Sequence, residues 1–180
     1  MSVSDLFKPL TLLHGPEMRN RFMMAPLTSQ QSNHDGTASE FDQFWIEQLS
    51  RSGYALIQAG ASTVEAGGIA FERQMGIHSD DHLPGLTKMA TAIREGGALS
   101  AVQLHHAGHR AVPAVGGIPA PASAKTVQGV KAITTEEVER IRDSFIAAAK
   151  RAQVAGFDGV SVHGAFGWIL SEFLSPNLND

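Results

Sequence analysis

The stretch TTEEVERIRDSFIAAAKRAQVAGFDGVSVH, residues 134–163, decides the fold. It opens on Thr134-x-x-Glu137, a capping box in which each side chain satisfies an amide the helix leaves open. Val138, Ile141, Phe145, Ala148 and Ala152 then recur at spacing three and four, so a helix over Thr135–Ala155 has one apolar face. Gly156 supplies the stop, because glycine accepts the left-handed backbone that ends helices. Gly159–His163 (GVSVH) follows at once, and its small and branched residues read as a buried strand. A helix that feeds directly into such a strand is a unit of α/β architecture.

The same alternation runs through the rest of the chain. Arg21–Ala25 (RFMMA), Tyr54–Ala59 (YALIQA) and Leu99–Leu104 (LSAVQL) are short, nearly continuous apolar runs, suited to strands buried on both faces. Helices are expected over Ser39–Arg51, His82–Arg94 and Gly167–Leu174. The first has Ser39 as N-cap and Gly53 beyond its end, with Phe41, Phe44, Trp45, Ile46 and Leu49 as its core side; the second is closed by Gly96-Gly97. The order β-α-β-α-β-α-β-α with right-handed crossovers makes a parallel sheet. An open doubly wound sheet and part of a (β/α)8 barrel both fit. The first strand is followed by Ala25-Pro26-Leu27-Thr28, not by the Gly-x-Gly-x-x-Gly of an open dinucleotide-binding sheet. Leu10–Met18, around His14-Gly15-Pro16, reads as a small hairpin covering the bottom of a barrel.

Composition narrows the function. The chain has 180 residues, 43% of them hydrophobic and 18 of them glycine, enough to bury a core. Fourteen Lys and Arg against 18 Asp and Glu leave a net charge of −4, without the basic excess of a nucleic-acid binder. There is no cysteine, which excludes disulfides and thiolate metal sites. No apolar run approaches a membrane span, and MSVSDLFKPL lacks the pattern of a signal peptide. The expectation is a soluble cytoplasmic protein whose partner is a small molecule.

Ligands of parallel α/β folds bind at the C-terminal strand ends. Those positions hold Pro26-Leu27-Thr28, Gly60-Ala61-Ser62, Gln103-Leu104-His105-His106 and His163-Gly164. A hydroxyl, an amide, imidazoles and small residues are present, and carboxylates are not, which argues against carboxylate-pair hydrolysis or carboxylate-bound magnesium. Thr28 is equally read as a turn cap, and Gln103 as a satisfied core amide. His105, His106 and His109 suggest a metal-assisted hydrolase, but their spacing in a Gly/Ala loop with no carboxylate nearby is a weak ligand pattern. His14, His34, His78 and His82 read as surface or turn residues. His163, at the end of a buried strand, is the strongest single candidate.

These segments resemble the old yellow enzyme family of FMN-dependent oxidoreductases. The resemblance rests on Leu6–Leu10, Arg19–Phe22, Ala25–Thr28, Leu56–Val64, Gly76–Asp81, Gln103–Gly108, Gly156–Val160, His163–Ala165 and Phe173–Pro176, in order along essentially the whole chain. It implies the (β/α)8 TIM barrel, FMN as cofactor and NAD(P)H as reductant, with hydride passing through flavin N5 to a small electrophilic substrate, an activated alkene or nitro compound. By the same resemblance Ala25, Pro26, Leu27 and Ala61 contact the flavin through their backbone. Thr28 offers its hydroxyl to the C4 carbonyl, and Gln103 pairs with the pyrimidine edge. His163 donates a hydrogen bond to the substrate oxygen.

Two positions depart from the family pattern. Phe166 stands where it has a second His or Asn, and Trp168 where it has the proton-donating Tyr. An indole N–H donates a hydrogen bond but is far too weak an acid to replace a phenol. Trp168 therefore occupies the catalytic position without its proton. His109 also intervenes before Arg110, where the family reads His-Ala-Gly-Arg. Only about four βα units and the hairpin are present, against the roughly 250 residues of a full barrel. The expectation is that residues 1–180 form the N-terminal half of one FMN-binding barrel domain. Its partners would be the missing C-terminal half, a small-molecule substrate and possible further copies of itself, with no nucleic acid or membrane; an inactive or complementing fragment is the alternative.

Overall fold

A computed structural model describes residues 2–179. Its elements are β1 (Met23–Met24), α1 (Glu40–Ser50), β2 (Leu56–Thr63), α2 (Leu83–Glu95), β3 (Leu99–His105), α3 (Thr135–Ala155), β4 (Gly159–Val162) and α4 (Ile169–Leu174). The four strands lie in the order β1-β2-β3-β4, every neighbouring pair parallel. This is the sheet of a partial (β/α) barrel. Register places Gln58 beside Ala101 and Gln103 beside Ser161, with an irregularity in β2 between Ala59 and Ser62.

The helix ends follow their sequence signals. Thr134 Oγ1 accepts from the Glu137 amide at 3.3 Å, and Glu137 accepts from the Thr134 amide at 2.7 Å. Gly156 ends α3 at φ 90°. Ser39 and Asp42 form the same reciprocal cap on α1. Strand periodicity then separates two faces. Ile57, Ala59, Val102 and Leu104 pack outward against Leu86, Met89, Ile93, Ala148 and Ala152 of the helices. The alternate residues, including Gln58, Gln103 and His105, belong to the inner face of the sheet. Leu10 and Met18 pair antiparallel, and the hairpin they close borders a cleft with the N-terminal ends of β2, β3 and β4.

Three expectations need correction. The first strand pairs over only two residues, because the Arg21 amide is held by the Leu6 carbonyl of the N-terminal turn and the Phe22 amide by Asn20, and Ala25 already belongs to the loop. Trp45 is not in the helix core: α1 buries Asp42, Ile46 and Ser50, spaced by four, which turns Trp45 to the side with 40% exposure. Phe41 and Phe44 are exposed on the same helix. Nor is β4 buried on both faces. It pairs on one side only, and Val160 and Val162 line an open apolar groove with Ile141, Phe145, Leu170 and Phe173. Among the described residues no helix is long and apolar enough to cross a membrane.

Candidate active site

The site forms where β1 to β4 end. Residues 25–28 leave β1 and pass close over β2 at Gly60. A Cβ at Gly60 would stand 2.0 Å from the Leu27 carbonyl oxygen, so only glycine admits this approach. Ala61 is buried beside it, and its carbonyl accepts from Gln74 Nε2 at 3.0 Å. Thr28 and Gln103 are half-buried, and the side chain of neither makes a hydrogen bond to a described residue. Gln58, on the inner face of β2, has a buried Oε1 without a partner. Sequence reasoning did not single it out, although its alternation with Ile57 and Ala59 carried the signal.

His163 follows β4 directly, anchored by its amide to the Leu104 carbonyl. Its ring is half-buried, hydrogen-bonded to no described residue, and burial pulls its pKa below the ordinary imidazole value. The neutral ring keeps one N–H for donation. Phe166 is 79% exposed with φ 57° and meets the His163 ring edge-on at 5.9 Å. Trp168 is buried, 6.2 Å from His163 between ring centroids, and further packed by His105 at 4.7 Å and Phe71 at 5.9 Å. The Arg110 guanidinium stacks 4.2 Å from the Trp168 centroid. A wall of aromatic rings thus stands beside His163.

The three histidines of the cluster turn to different partners. His105 turns inward: Gln74 Nε2 donates to its Nδ1 at 3.0 Å, and its Nε2 is buried without a partner. Burial, helped by His163, His106 and Arg110, pushes its pKa down to about 3. His106 turns outward to Glu65, at 3.6 Å, and His109 Nδ1 lies 3.0 Å from Glu172. So carboxylates do lie near this loop, brought from the loop after β2 and from α4 rather than from the adjacent sequence. Burial alone would raise the Glu65 carboxyl; His106, Ser144 and Arg140 outweigh it and bring it to about 2. Among the described residues no three His, Cys, Asp or Glu side chains gather as a metal site. His82, expected at the surface or in a turn, ends the short turn Asp80–His82 before α2 but is buried there, its Nδ1 3.0 Å from Ser79.

Residues 5–180 match the sequence profile of the NADH:flavin oxidoreductase / NADH oxidase family. The chain belongs to that family. A probable NADH-dependent flavin oxidoreductase of Bacillus subtilis, YqiG, is 41% identical over 97% of the chain, which spans 48% of YqiG. The NADH:acrylate oxidoreductase of Vibrio harveyi is 32% identical over 98% of the chain and only 18% of that larger protein. The old yellow enzyme homologue from Zymomonas mobilis superposes with a TM-score of 0.88 at 28% identity, covering 97% of this chain and 52% of its own. The chain therefore spans about half the length of its family relatives of ordinary size.

Proposed function

We propose that residues 1–180 are the N-terminal half of a single FMN-binding barrel domain. They would supply its strand ends to an NAD(P)H-dependent oxidoreductase acting on a small electrophile. One observation carries this reading. Thr28 follows β1, Gln103 lies near the end of β3 and His163 follows β4, and none of their side chains has a hydrogen-bond partner among the described residues. Polar side chains left open together at strand ends suit a ligand with a polar edge.

FMN fits this donor set. Gln103 offers both donor and acceptor to a pyrimidine edge, and Thr28 offers a hydroxyl to a ring carbonyl. Ala25, Pro26, Leu27 and Ala61 leave backbone close to a flat ring, with Gly60 making the approach possible. FMN, when bound, supplies a two-electron carrier between NAD(P)H and the acceptor. His163 holds and polarises the acceptor oxygen through its N–H. Trp168 packs the acceptor but has no proton to give, so an alkene would be protonated by water. The relative named for acrylate supports an activated alkene as acceptor; the aromatic wall equally suits a flat nitro compound. The setting of this reading is cytoplasmic.

A second reading has its own support. The open groove beside β4, about 370 Å³, leaves Val160 and Val162 exposed. It favours a half-barrel that needs a complementing half to turn over.

Titrating FMN with the purified chain tests both. Binding should shift the visible flavin bands, and Gln103→Leu should weaken it at least tenfold. Unchanged binding in that variant sinks the assignment of Gln103. Tight binding with full turnover by the chain alone sinks the complementing-half reading.

A further inference from the structure

We infer that Arg110 is a specificity-determining residue, which selects acceptors bearing a carboxylate at the His163–Trp168 wall. The inference rests on the oxidoreductase reading for the role of the bound molecule, but the binding itself stands on the geometry of Arg110.

Arg110 ends the short turn Gly108–Arg110 that follows β3. Two contacts hold its flat guanidinium. One face lies on the Trp168 indole, 4.2 Å from the ring centroid, and Nη1 donates to the Phe166 carbonyl at 2.6 Å. These contacts leave the edge formed by Nε and Nη2 open, with no described residue accepting from it. That edge is the fork that binds both oxygens of a carboxylate. Because the side chain is already held, little conformational entropy remains to be lost on binding.

The charge is also uncompensated. Arg140, Arg142 and Arg151 all pair with carboxylates, whereas no described carboxylate pairs with Arg110. The two acids nearest this loop are committed elsewhere. Glu65 is held by Arg140, Ser144 and His106, and Glu172 accepts from the Ala122 and His109 amides. The imidazoles facing the same wall, His105 and His163, add no negative charge. Arg110 contributes to lowering the His105 pKa, so its field reaches into the site.

Arg110 and His163 lie 4.2 and 6.2 Å from the centroid of the same indole ring. A small molecule with an oxygen for His163 and a carboxylate for Arg110 is the ligand this pair suits. The pyrophosphate of a nicotinamide nucleotide is the other anion with this chemistry. It lies many bonds from the reacting ring, however, and fits a position on the same indole as His163 less well.

The test compares benzoate with benzamide, equal in shape and different in charge, by calorimetric titration of the full chain. Benzoate should bind at least tenfold more tightly to the wild type. The preference should vanish in Arg110→Gln and persist in part in Arg110→Lys, which keeps the charge without the fork. Equal affinity for the two ligands, no binding of either, or an undiminished preference in Arg110→Gln overturns the proposal. So does an Arg110→Gln defect confined to ADP, which would assign the residue to nucleotide phosphate. FMN titration of the same protein keeps the two ideas apart: failure to bind FMN strikes the flavin reading, not the carboxylate preference.

Discussion

Gln74 Nε2 donates a hydrogen bond to His105 Nδ1 at 3.0 Å, and this pair fixes the tautomer of the imidazole. The amide cannot be flipped, because Gln74 Oε1 accepts from the Ala70 amide at 2.9 Å while Nε2 also donates to the Ala61 carbonyl. His105 Nδ1 is therefore an acceptor, and its proton sits on Nε2, toward the interior of the wall. Gln74 is almost wholly buried and joins the loop after β2 to the ends of β2 and β3. Replacing it with Leu leaves three buried polar groups without this partner. At roughly 1–3 kcal/mol for each such group, partly relieved by relaxation, Gln74→Leu should lose about 3 kcal/mol in urea unfolding. A midpoint equal to the wild type would show that the amide is not a structural tie.

Glu172 performs a similar service from α4. Its buried carboxylate accepts from the Ala122 amide at 2.6 Å and the His109 amide at 3.2 Å, so three segments meet on one side chain. Gly108 makes room for it: a Cβ there would stand 2.6 Å from Glu172 Oε2, on a backbone already at φ 62°. Glu172→Ala should cost about 2–4 kcal/mol, since it unpairs buried amides and opens a void. Glu172→Gln, which keeps an acceptor in place, should cost less. Thermal or urea unfolding of the two variants ranks them; equal losses would mean that shape rather than hydrogen bonding matters here.

Some of this was legible in the sequence and some was not, for physical reasons. α3 could be read from end to end because its capping box, apolar face and terminal glycine are all local signals. Thr28, Gln103 and His163 could be placed at strand ends because a parallel sheet puts its ligands there. Glu65 and Glu172 could not, since what makes them matter is contact across long sequence separations, with Arg140 in one case and Ala122 in the other. Trp45 reads as buried because α1 carries five apolar residues that the sequence alone groups on one side. Burial instead follows Asp42 and Ile46, and the cap that holds Asp42 inward is a polar signal.

The Trp168 wall gives a prediction about chemistry. Trp168→Tyr would put a phenol where the indole now stands, and a positioned general acid is worth about 10²–10⁴-fold in a step that needs a proton. Reduction of an enone, which must gain a proton as well as a hydride, should accelerate in Trp168→Tyr by at least tenfold. Reduction of the cofactor by NAD(P)H, which needs no such acid, should change little. Stopped-flow kinetics on the FMN-loaded protein separates the two half-reactions. Unchanged enone turnover beside normal cofactor reduction would refute the missing-acid argument.

The buried, neutral state of His105 makes stability depend on pH in a definite direction. Its folded pKa is about 3, against an ordinary value of 6.5. Below about pH 6.5 the unfolded chain therefore takes up a proton that the folded chain refuses. His105 lowers stability progressively as pH falls from there toward 3 and has no such effect above it. His78 and His163, also depressed by burial, act in the same direction. Glu65 adds a separate loss only where pH falls from about 4.5 toward 2. The difference between wild type and His105→Gln isolates the one group, because glutamine still accepts from Gln74 but does not titrate. Urea unfolding at several pH values should show His105→Gln declining less steeply than wild type between about pH 6.5 and 4. Parallel curves across that range would mean that the His105 imidazole gains its proton as readily folded as unfolded, and that its burial behind Trp168 is not maintained in solution.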